Sequence, residues 1–497
     1  MHIINLTCYN YCNLFGVSVD NIVFSQYHLS VINVCTAQLS FKEQHIDITT
    51  ISAKKMIEEL DTYYTAYQPK IIQIGYIATI EQVELLSQWL KKHKRDLQVF
   101  YQPYIINDVH HQITKNNIID NIKTQLLSYI DILCLDEPHL KLLSGIYPLN
   151  WNSFHRAAQL LSTKGISITI IKHCQLDNTL PHTIDYCYAH DNQYWQVLPH
   201  TISQEIKHHS TLFMSFYTSL HTLALHHRDC FFLSRACIEQ YVINKKNPYP
   251  IYYNPEILPE KINTFPQVLT KNHPIAAEID LYSNPLQTKK YHFPTLSFNE
   301  KTLYPIVDSS AWVEKLLNLG ITMIQLRIKN KPLAYIRNEI ARANTIAQEK
   351  KAKLFINDYW QLAIEYRCYG VHLGQEDIET ADLNQIEEKG LALGISTHGY
   401  YEYFKIQQYQ PSYIAIGAIF STKTKDMSDQ IQGLHTLAHL IQLTHQIPVV
   451  AIGGIHLNNV ISVLQCQVDA IAVVSAITQS HQLEQDIASF NQLLAKT

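Results

Sequence analysis

Glycine is scarce in this chain, and its distribution divides the sequence into two parts. Only 14 of the 497 residues are glycine, and just four of them (Gly16, Gly75, Gly145 and Gly165) precede residue 290. The other ten lie in the last 200 residues, most of them at the ends of short apolar runs. This contrast predicts that the two parts of the chain have different tasks.

Several further features are missing, and each absence excludes a class of protein. The ten cysteines contain no C-x-x-C pair, and Cys8 and Cys12 have no second pair to complete a structural zinc site. No run of about 18 apolar residues could span a membrane, and the N-terminal MHIINLTCYNY lacks the basic start of a signal peptide. The net charge of −4 and the absence of like-charge blocks argue against nucleic-acid or membrane-surface partners. We therefore expect a cytoplasmic protein with reduced thiols.

The length and the proline distribution predict two domains. A chain of 497 residues with 46% hydrophobic residues is too long for one ordinary core. Eight of its 18 prolines fall between Pro248 and Pro294, a density that breaks regular structure. We place the boundary near residue 290, with one domain over 1–290 and another over 291–497.

Short apolar runs alternate with amphipathic segments throughout the second part. The runs are 304–308, 323–329, 354–358, 370–373, 391–396, 413–420, 447–454 and 470–476. Strands that are apolar on both faces and separated by helices indicate a parallel sheet, and eight such units predict a (β/α)8 TIM barrel. A doubly wound sheet is the competing architecture, but it rarely places functional residues after nearly every strand.

The first part also alternates between apolar runs and helical segments. The apolar runs predict strands over residues 70–78, 96–103, 131–137 and 166–173. The simplest architecture is an α/β layered domain built on an open sheet.

Three polar side chains alternate with apolar ones in the second run of the predicted barrel. If Gln325, Arg327 and Lys329 share one strand, they point to the same side about 6.6 Å apart. Two cations at the mouth of a barrel are costly unless they meet an anion, and a phosphate fits an Arg fork beside a Lys point charge. The alternative is a surface strand with solvated charges.

Carboxylates follow the next two runs. Asn357 and Asp358 end one run, and Asp377 follows the run after it. Two carboxylates at neighbouring strand ends suit Mg²⁺, which keeps several waters and accepts substrate phosphates. The alternative is that both aspartates are solvated residues or helix caps.

The last three runs are followed by hydroxyls, a cation and glycines. Bare backbone N–H groups at helix starts would form the phosphate site that barrels often carry after their last two strands. These residues are Thr422, Thr424, Lys425, Gly453, Gly454, Val474 and Ser475.

Six segments of the second part, in order, closely resemble the thiamine-phosphate synthase family. They are YPIVDSSAWVEKLLNLGITMIQLRIKN, INDYWQLAIEYRCYGVHLGQED, LGISTHG, IAIGAIFSTKTKD, VVAIGGI and DAIAVVSAIT, and together they span roughly 291–497. The family joins hydroxymethylpyrimidine diphosphate to a thiazole phosphate carboxylate and releases pyrophosphate. The resemblance therefore implies a transferase that acts on two small anionic substrates with Mg²⁺.

The resemblance also implies a role for each motif residue. Gln325, Leu326, Arg327, Ile328, Lys329 and Asn357 would hold the pyrimidine diphosphate, and Ser396 would lie beside the pyrimidine. Asp358 and Asp377 would be Mg²⁺ ligands, Thr422 and Thr424 would contact the thiazole partner, and Lys425 the pyrophosphate. Gly454, Val474 and Ser475 would hold the thiazole phosphate. The resemblance implies Arg327, Lys329, Ser396 and Lys425 as the catalytic residues. No nucleophile would be needed, because Mg²⁺, Arg327, Lys329 and Lys425 would neutralise the leaving pyrophosphate.

The first part resembles, more distantly, a ribokinase-like hydroxymethylpyrimidine kinase. INVCTAQLS (32–40) is similar to a substrate-facing segment of that family and would place Gln38 at the pyrimidine. However, Gln102 stands where the family has aspartate, and Leu212 where it has the cysteine of a glycine–cysteine anion hole. Phosphoryl transfer needs the bare N–H groups of such a hole, so we expect a degenerate, inactive kinase domain. Two alternatives stay open: a bifunctional enzyme, and a pyrimidine-binding or scaffolding module. A homo-oligomer is compatible with the sequence.

Overall fold

The computed structural model describes most of the chain and divides it into two units. The described residues are 1–10, 16–42, 45–105, 112–174, 176, 182–198, 212–245, 258–259, 262–282, 289–298, 300–422, 431–443 and 446–496. The units are Met1–Pro285 and Leu286–Thr497.

The first unit is built on one ten-stranded sheet with the strand order β10-β9-β8-β7-β6-β5-β4-β1-β2-β3. Its strands are β1 (His2–Asn10), β2 (Ser30–Lys42), β3 (His45–Thr50), β4 (Ile71–Ile74), β5 (Gln98–Tyr101), β6 (Ile132–Asp136), β7 (Ile168–Lys172), β8 (Thr183–Ala189), β9 (Asn192–Leu198) and β10 (Gln267–Val268). The six central strands, β7-β6-β5-β4-β1-β2, pair in parallel. The outer strands β3, β8, β9 and β10 pair antiparallel with their neighbours. The predicted α/β layered domain is thus confirmed.

Helices of the first unit connect and cover these strands. They span Val17–Gln26, Ala53–Tyr67, Ile80–His93, Asn116–Asn121, Glu137–Ser144, Trp151–Ser162, Leu212–Thr222, His227–Lys245 and Pro274–Glu278. Local sequence fixes several helix starts: the Ser52 side chain accepts from the backbone N–H of Lys55, and Thr79 accepts from that of Gln82. The central strands are buried on both faces, as their apolar runs predicted.

The second unit is a closed barrel of eight parallel strands in sequence order. They are β11 (Thr302–Val307), β12 (Met323–Leu326), β13 (Lys353–Asn357), β14 (Gly370–Leu373), β15 (Ala392–Thr397), β16 (Tyr413–Ile416), β17 (Val449–Ile452) and β18 (Ala470–Val473). The strand β11 pairs with both β12 and β18, which closes the sheet. The predicted TIM barrel is therefore confirmed.

Helices surround this barrel, with additional short helices in its loops. They span Ser310–Asn318, Leu333–Glu349, Trp360–Glu365, Gln375–Thr380, Leu383–Glu388, Tyr400–Gln407, Gly433–Leu443, Val460–Leu464, Ser475–Thr478 and Leu483–Leu494. Among the described residues, no helix is long and apolar enough to cross a membrane.

Aromatic side chains fill the barrel interior, and glycine makes room for them. Tyr304, Phe355 and Tyr413 pack edge to face with centroid separations of 5.2–5.9 Å. A Cβ at Gly394 would lie 2.1 Å from Cζ of Tyr413, and one at Gly370 would lie 2.5 Å from Cε1 of Phe355. Two strand glycines thus accommodate two large rings.

Four barrel strands, β12, β16, β17 and β18, are shorter than their apolar runs predicted, and two of them show the reason. The second was expected over 323–329, but β12 ends at Leu326, where its pairing with Val307 is the last in the ladder. The sixth was expected over 413–420, but β16 ends at Ile416. In both cases the apolar run continues after the chain has left the sheet and entered the mouth of the barrel. Composition alone therefore overestimates the length of the strand.

Candidate active site

The two cations that follow β12 lie on a loop rather than on the strand. The backbone N–H of Arg327 still donates to the Val307 carbonyl at 2.7 Å, and after that bond the chain leaves the sheet. The expectation that Gln325, Arg327 and Lys329 share one strand face is therefore wrong, because the pleat ends before Arg327. Lys329 nevertheless forms an ion pair with Asp358 from the next strand end.

Two carboxylates face each other beside this cation. Asp358 follows β13 with a φ of 64°, and its N–H donates to the His372 carbonyl at 3.0 Å. Asp377 lies in the first turn of the helix after β14, and its Oδ2 accepts from the N–H of Gly374 at 3.1 Å. Burial, and then the negative charge and hydrogen bond of Asp358, raise the pKa of Asp377. Asp377 therefore caps its helix, as one alternative held, and also faces a second carboxylate, as the metal-site prediction held.

The Asp358–Asp377 pair is suited to a hard divalent cation. In the described ranges no group of three or more His, Cys, Asp or Glu side chains could hold a metal by itself. Mg²⁺ typically takes only one or two carboxylates and completes its shell with waters and substrate phosphates. A cation between the two aspartates would also relieve the repulsion that raises the Asp377 pKa.

Inside the barrel, five polar side chains form a continuous hydrogen-bonded network below the mouth. The Gln325 amide donates to the Tyr304 hydroxyl at 3.2 Å, and that hydroxyl lies 2.9 Å from the hydroxyl of Tyr413. His372 joins the Tyr413 hydroxyl through Nδ1 at 2.7 Å and Ser396 Oγ through Nε2 at 2.7 Å. The network connects the end of β12 with the end of β15.

His372 and Gln375 belong to this site, and sequence reasoning missed both. Burial, with a further contribution from the Arg327 charge, lowers the pKa of His372 to about 4, so the imidazole is neutral at pH 7. Gln375 donates to the Ser396 carbonyl at 2.7 Å, and its buried Oε1 has no partner among the residues that the structure describes. The available signal was one histidine in an otherwise apolar strand.

The glycines after β17 are required by the surrounding chain. Gly453 and Gly454 have φ values of 100° and 66°, which favour glycine. A Cβ at Gly453 would lie 2.6 Å from Cα of Ala418, and one at Gly454 would lie 2.5 Å from the Ser421 carbonyl oxygen. Packing therefore explains both glycines without a ligand, and a phosphate would use the same bare backbone.

The other residues expected at the site divide into three groups. Leu326 and Ile328 are buried apolar side chains, so their contacts with a ligand would use the backbone, and Asn357 is buried at the end of β13. Val474 and Ser475 mark the start of the Ser475–Thr478 helix after β18, and Thr422 is half-buried after β16. Thr424 and Lys425 lie outside the described residues.

In the described part of the first unit, two polar side chains near the expected phosphate site, Gln102 and Lys172, already have partners within the protein. The Gln102 side chain accepts from the backbone N–H of Met214, in the first turn of the helix that begins at Leu212. Lys172 is fully buried and lies 3.1 Å from Asp136. Burial opposes ionisation of Asp136, but the Lys172 charge still holds its pKa well below the ordinary value.

Sequence comparisons identify the barrel. The family model described as thiamine monophosphate synthase matches residues 303–477. The thiamine-phosphate synthase of Proteus mirabilis (strain HI4320) is 51% identical over 183 residues, covering 37% of this chain and 85% of that protein. The chain belongs to the thiamine-phosphate synthase family. Its counterpart from Serratia proteamaculans (strain 568) is 49% identical over 192 residues, covering 39% of this chain and 91% of that protein.

As a member of this family, the chain is a transferase of thiamine biosynthesis, and its barrel carries the family likeness. The first unit has a different relationship: the family model for phosphomethylpyrimidine kinase matches residues 22–213. A solved phosphomethylpyrimidine kinase from Clostridium difficile 630 is 16% identical with a TM-score of 0.43, covering 49% of this chain and 99% of that one. The two family models confirm both resemblances that the sequence showed.

Proposed function

We propose that residues 291–497 condense hydroxymethylpyrimidine diphosphate with a thiazole phosphate carboxylate, giving thiamine phosphate, pyrophosphate and, from the carboxylate, CO2. The observation that carries this proposal is the group formed by Lys329, Asp358 and Asp377 at the barrel mouth. A cation and two facing carboxylates suit a diphosphate held through a divalent metal. The reaction takes place in the cytoplasm between small molecules.

Each charged group has a role in the departure of pyrophosphate. Arg327 and Lys329, with Lys425, attract the negative charge that grows on the leaving group. Asp358 and Asp377 would hold Mg²⁺, which when bound would act as a Lewis acid on the diphosphate. Loss of pyrophosphate leaves a carbon conjugated to an electron-rich aminopyrimidine, and this stabilised cation is captured by the thiazole nitrogen. The thiazole carboxylate leaves as CO2, and the electron pair that remains takes up a proton.

The remaining residues orient the two substrates. Gln325, Asn357 and the backbone of Leu326 and Ile328 hold the pyrimidine side, with Ser396 beside the ring. Thr422 and Thr424 contact the thiazole, while the backbone of Gly454, Val474 and Ser475 holds its phosphate. Holding the acceptor nitrogen next to the reacting carbon replaces a bimolecular encounter with an intramolecular one.

We propose further that residues 1–290 form a degenerate kinase-like domain without phosphoryl-transfer activity. The hydrogen bond from the Met214 N–H to Gln102 supports this, because it occupies a helix-start donor that a transferring phosphate would use. The Asp136–Lys172 pair supports it as well, since an internally neutralised lysine is a poor phosphate ligand. A bifunctional enzyme and a pyrimidine-binding module are the alternatives.

Product formation by the purified full chain tests these proposals together. The chain receives Mg²⁺ and thiazole phosphate carboxylate with either hydroxymethylpyrimidine diphosphate, or hydroxymethylpyrimidine and ATP. We expect thiamine phosphate from the diphosphate alone. Product from both would reject the inactive kinase domain, and product from neither would reject the synthase assignment. If only the diphosphate reacts, calorimetry with free hydroxymethylpyrimidine distinguishes a binding module from a relic.

A further inference from the structure

The barrel network has a direction, set by the order of its donors and acceptors. Gln325 presents its amide Nε2 to Tyr304, so the Tyr304 oxygen accepts there and its own proton is available for Tyr413. The Tyr413 proton then goes to Nδ1 of His372. A neutral imidazole that accepts at Nδ1 carries its proton on Nε2, which donates to Ser396 Oγ.

The opposite direction leaves a proton without an acceptor. If the Ser396 hydroxyl donated to Nε2, Nδ1–H of His372 would donate to Tyr413, whose proton would pass to Tyr304. The Tyr304 oxygen would then accept from both Tyr413 and Gln325. Its own proton would be buried with no third acceptor in the described part of the chain, which is unfavourable.

We propose that His372 is a positioning residue, held as its Nε2–H tautomer by the Gln325–Tyr304–Tyr413 chain, that makes Ser396 a hydrogen-bond donor to the pyrimidine. Once Ser396 Oγ accepts from His372, its own proton is free to point towards a ring nitrogen of the substrate. Ser396 then neither attacks nor removes a proton. This inference rests on the proposed function, since it assigns Ser396 to the pyrimidine.

Packing holds the orientation of the His372 ring, on which these hydrogen bonds depend. The His372 ring lies nearly parallel to the Tyr413 ring, with centroids 5.6 Å apart and an interplanar angle of 23°. Tyr413 is fully buried and also packs edge to face on Tyr304 and Phe355. A ring flip of His372 would therefore break two hydrogen bonds inside a filled core.

Nitrogen-15 NMR of the full chain tests the tautomer without any activity assay. The His372 signals are assigned as those lost in His372→Gln, and the two-bond couplings of the ring protons report which nitrogen carries hydrogen. We expect the proton on Nε2. A proton on Nδ1 would overturn the proposal, and Tyr413→Phe should move His372 towards a mixture of tautomers.

Two variants of His372 separate positioning of Ser396 from simple space filling. The amide of His372→Gln reaches the Nε2 position and keeps a donor for Ser396, whereas His372→Asn reaches only the Nδ1 position. We expect kcat/KM for the pyrimidine diphosphate to fall about 10- to 100-fold in His372→Asn and clearly less in His372→Gln. Equal losses, or a larger loss in His372→Gln, would reject the proposal.

A double-mutant cycle confirms that the effect passes through Ser396. In a Ser396→Ala background, His372→Asn should lower kcat/KM by less than about two-fold. A full additional loss would show that His372 acts elsewhere. If the unmodified chain formed no thiamine phosphate, the proposed function would be rejected. The tautomer measurement would still decide the direction of the network.

Discussion

Replacing Gly394 with alanine should displace the ring on which the barrel network depends. A Cβ at this position would lie 2.1 Å from Cζ and 2.4 Å from the hydroxyl oxygen of Tyr413, whereas carbon atoms in contact lie about 3.5–4.0 Å apart. The ring would have to move by more than about 1 Å. Because Tyr304, Phe355 and His372 pack against the Tyr413 ring, that movement would disturb their contacts.

The cost can be estimated from the contacts that this movement would break. Overpacking a filled core costs about 1–3 kcal/mol. The hydrogen bonds of Tyr413 to Tyr304 and His372 add about 1 kcal/mol each when they are lost. The sum is about 3–5 kcal/mol, and at about 2–4 °C per kcal/mol it lowers the barrel Tm by roughly 6–20 °C.

Calorimetry of the full chain, with kcat/KM measured in parallel, checks this estimate. Gly390→Asn is the matched control, because a Cβ at Gly390 meets nothing within 4 Å and asparagine tolerates its φ of 69°. In a Tyr413→Leu background, which removes the colliding atoms, Gly394→Ala should cost less than about 1 kcal/mol. A Gly394→Ala chain whose Tm lies within about 2 °C of the original would refute the reasoning.

Three other predictions concern buried or facing charges. Asp358→Asn should lower kcat/KM by about 10²–10³-fold and raise the Mg²⁺ concentration for half-maximal rate; an unchanged Mg²⁺ dependence would contradict the metal assignment. Arg235→Met leaves Asp185 buried without its bidentate partner at 2.7 Å and should cost about 3–5 kcal/mol in urea unfolding, partly restored by adding Asp185→Leu. Burial raises the pKa of Asp20 from 3.8 to about 6, so folding loses up to about 3 kcal/mol as pH rises from 4 through 6. Asp20→Asn should flatten that dependence, measured by hydrogen exchange in the Val17–Gln26 helix; an equal slope in both chains would reject it.

The order and type of the elements could be predicted from the sequence because they depend on local patterns. Strands buried on both faces need short, largely apolar runs, and such runs occur at every barrel strand, with single polar residues such as Gln325 in β12 and His372 in β14. The ends of the strands were harder to predict from the sequence. β12 ends at Leu326, although Ile328 is just as apolar and buried. Pairing with the neighbouring strand decides that end.

The residues at the mouth could also be selected from the sequence, although their partners could not. Polar groups after successive parallel strands must meet at one end of a barrel, which singled out Lys329, Asp358 and Asp377. The Lys329–Asp358 ion pair and the bond from Gly374 to Asp377 depend on loop conformation instead. That conformation follows from packing around the whole barrel.

The sequence by itself determined an eight-stranded barrel with anionic ligands at its mouth and a glycine-poor α/β unit before it. Only the tertiary structure decided that Tyr304 and Tyr413, 109 residues apart, share a hydrogen bond and connect Gln325 to His372. In the same way, it assigned the Met214 N–H to Gln102, 112 residues away. Local patterns determine helices and strands because these depend mainly on interactions between residues close in sequence. The contacts named here exist only after the sheets have formed and brought distant strands together.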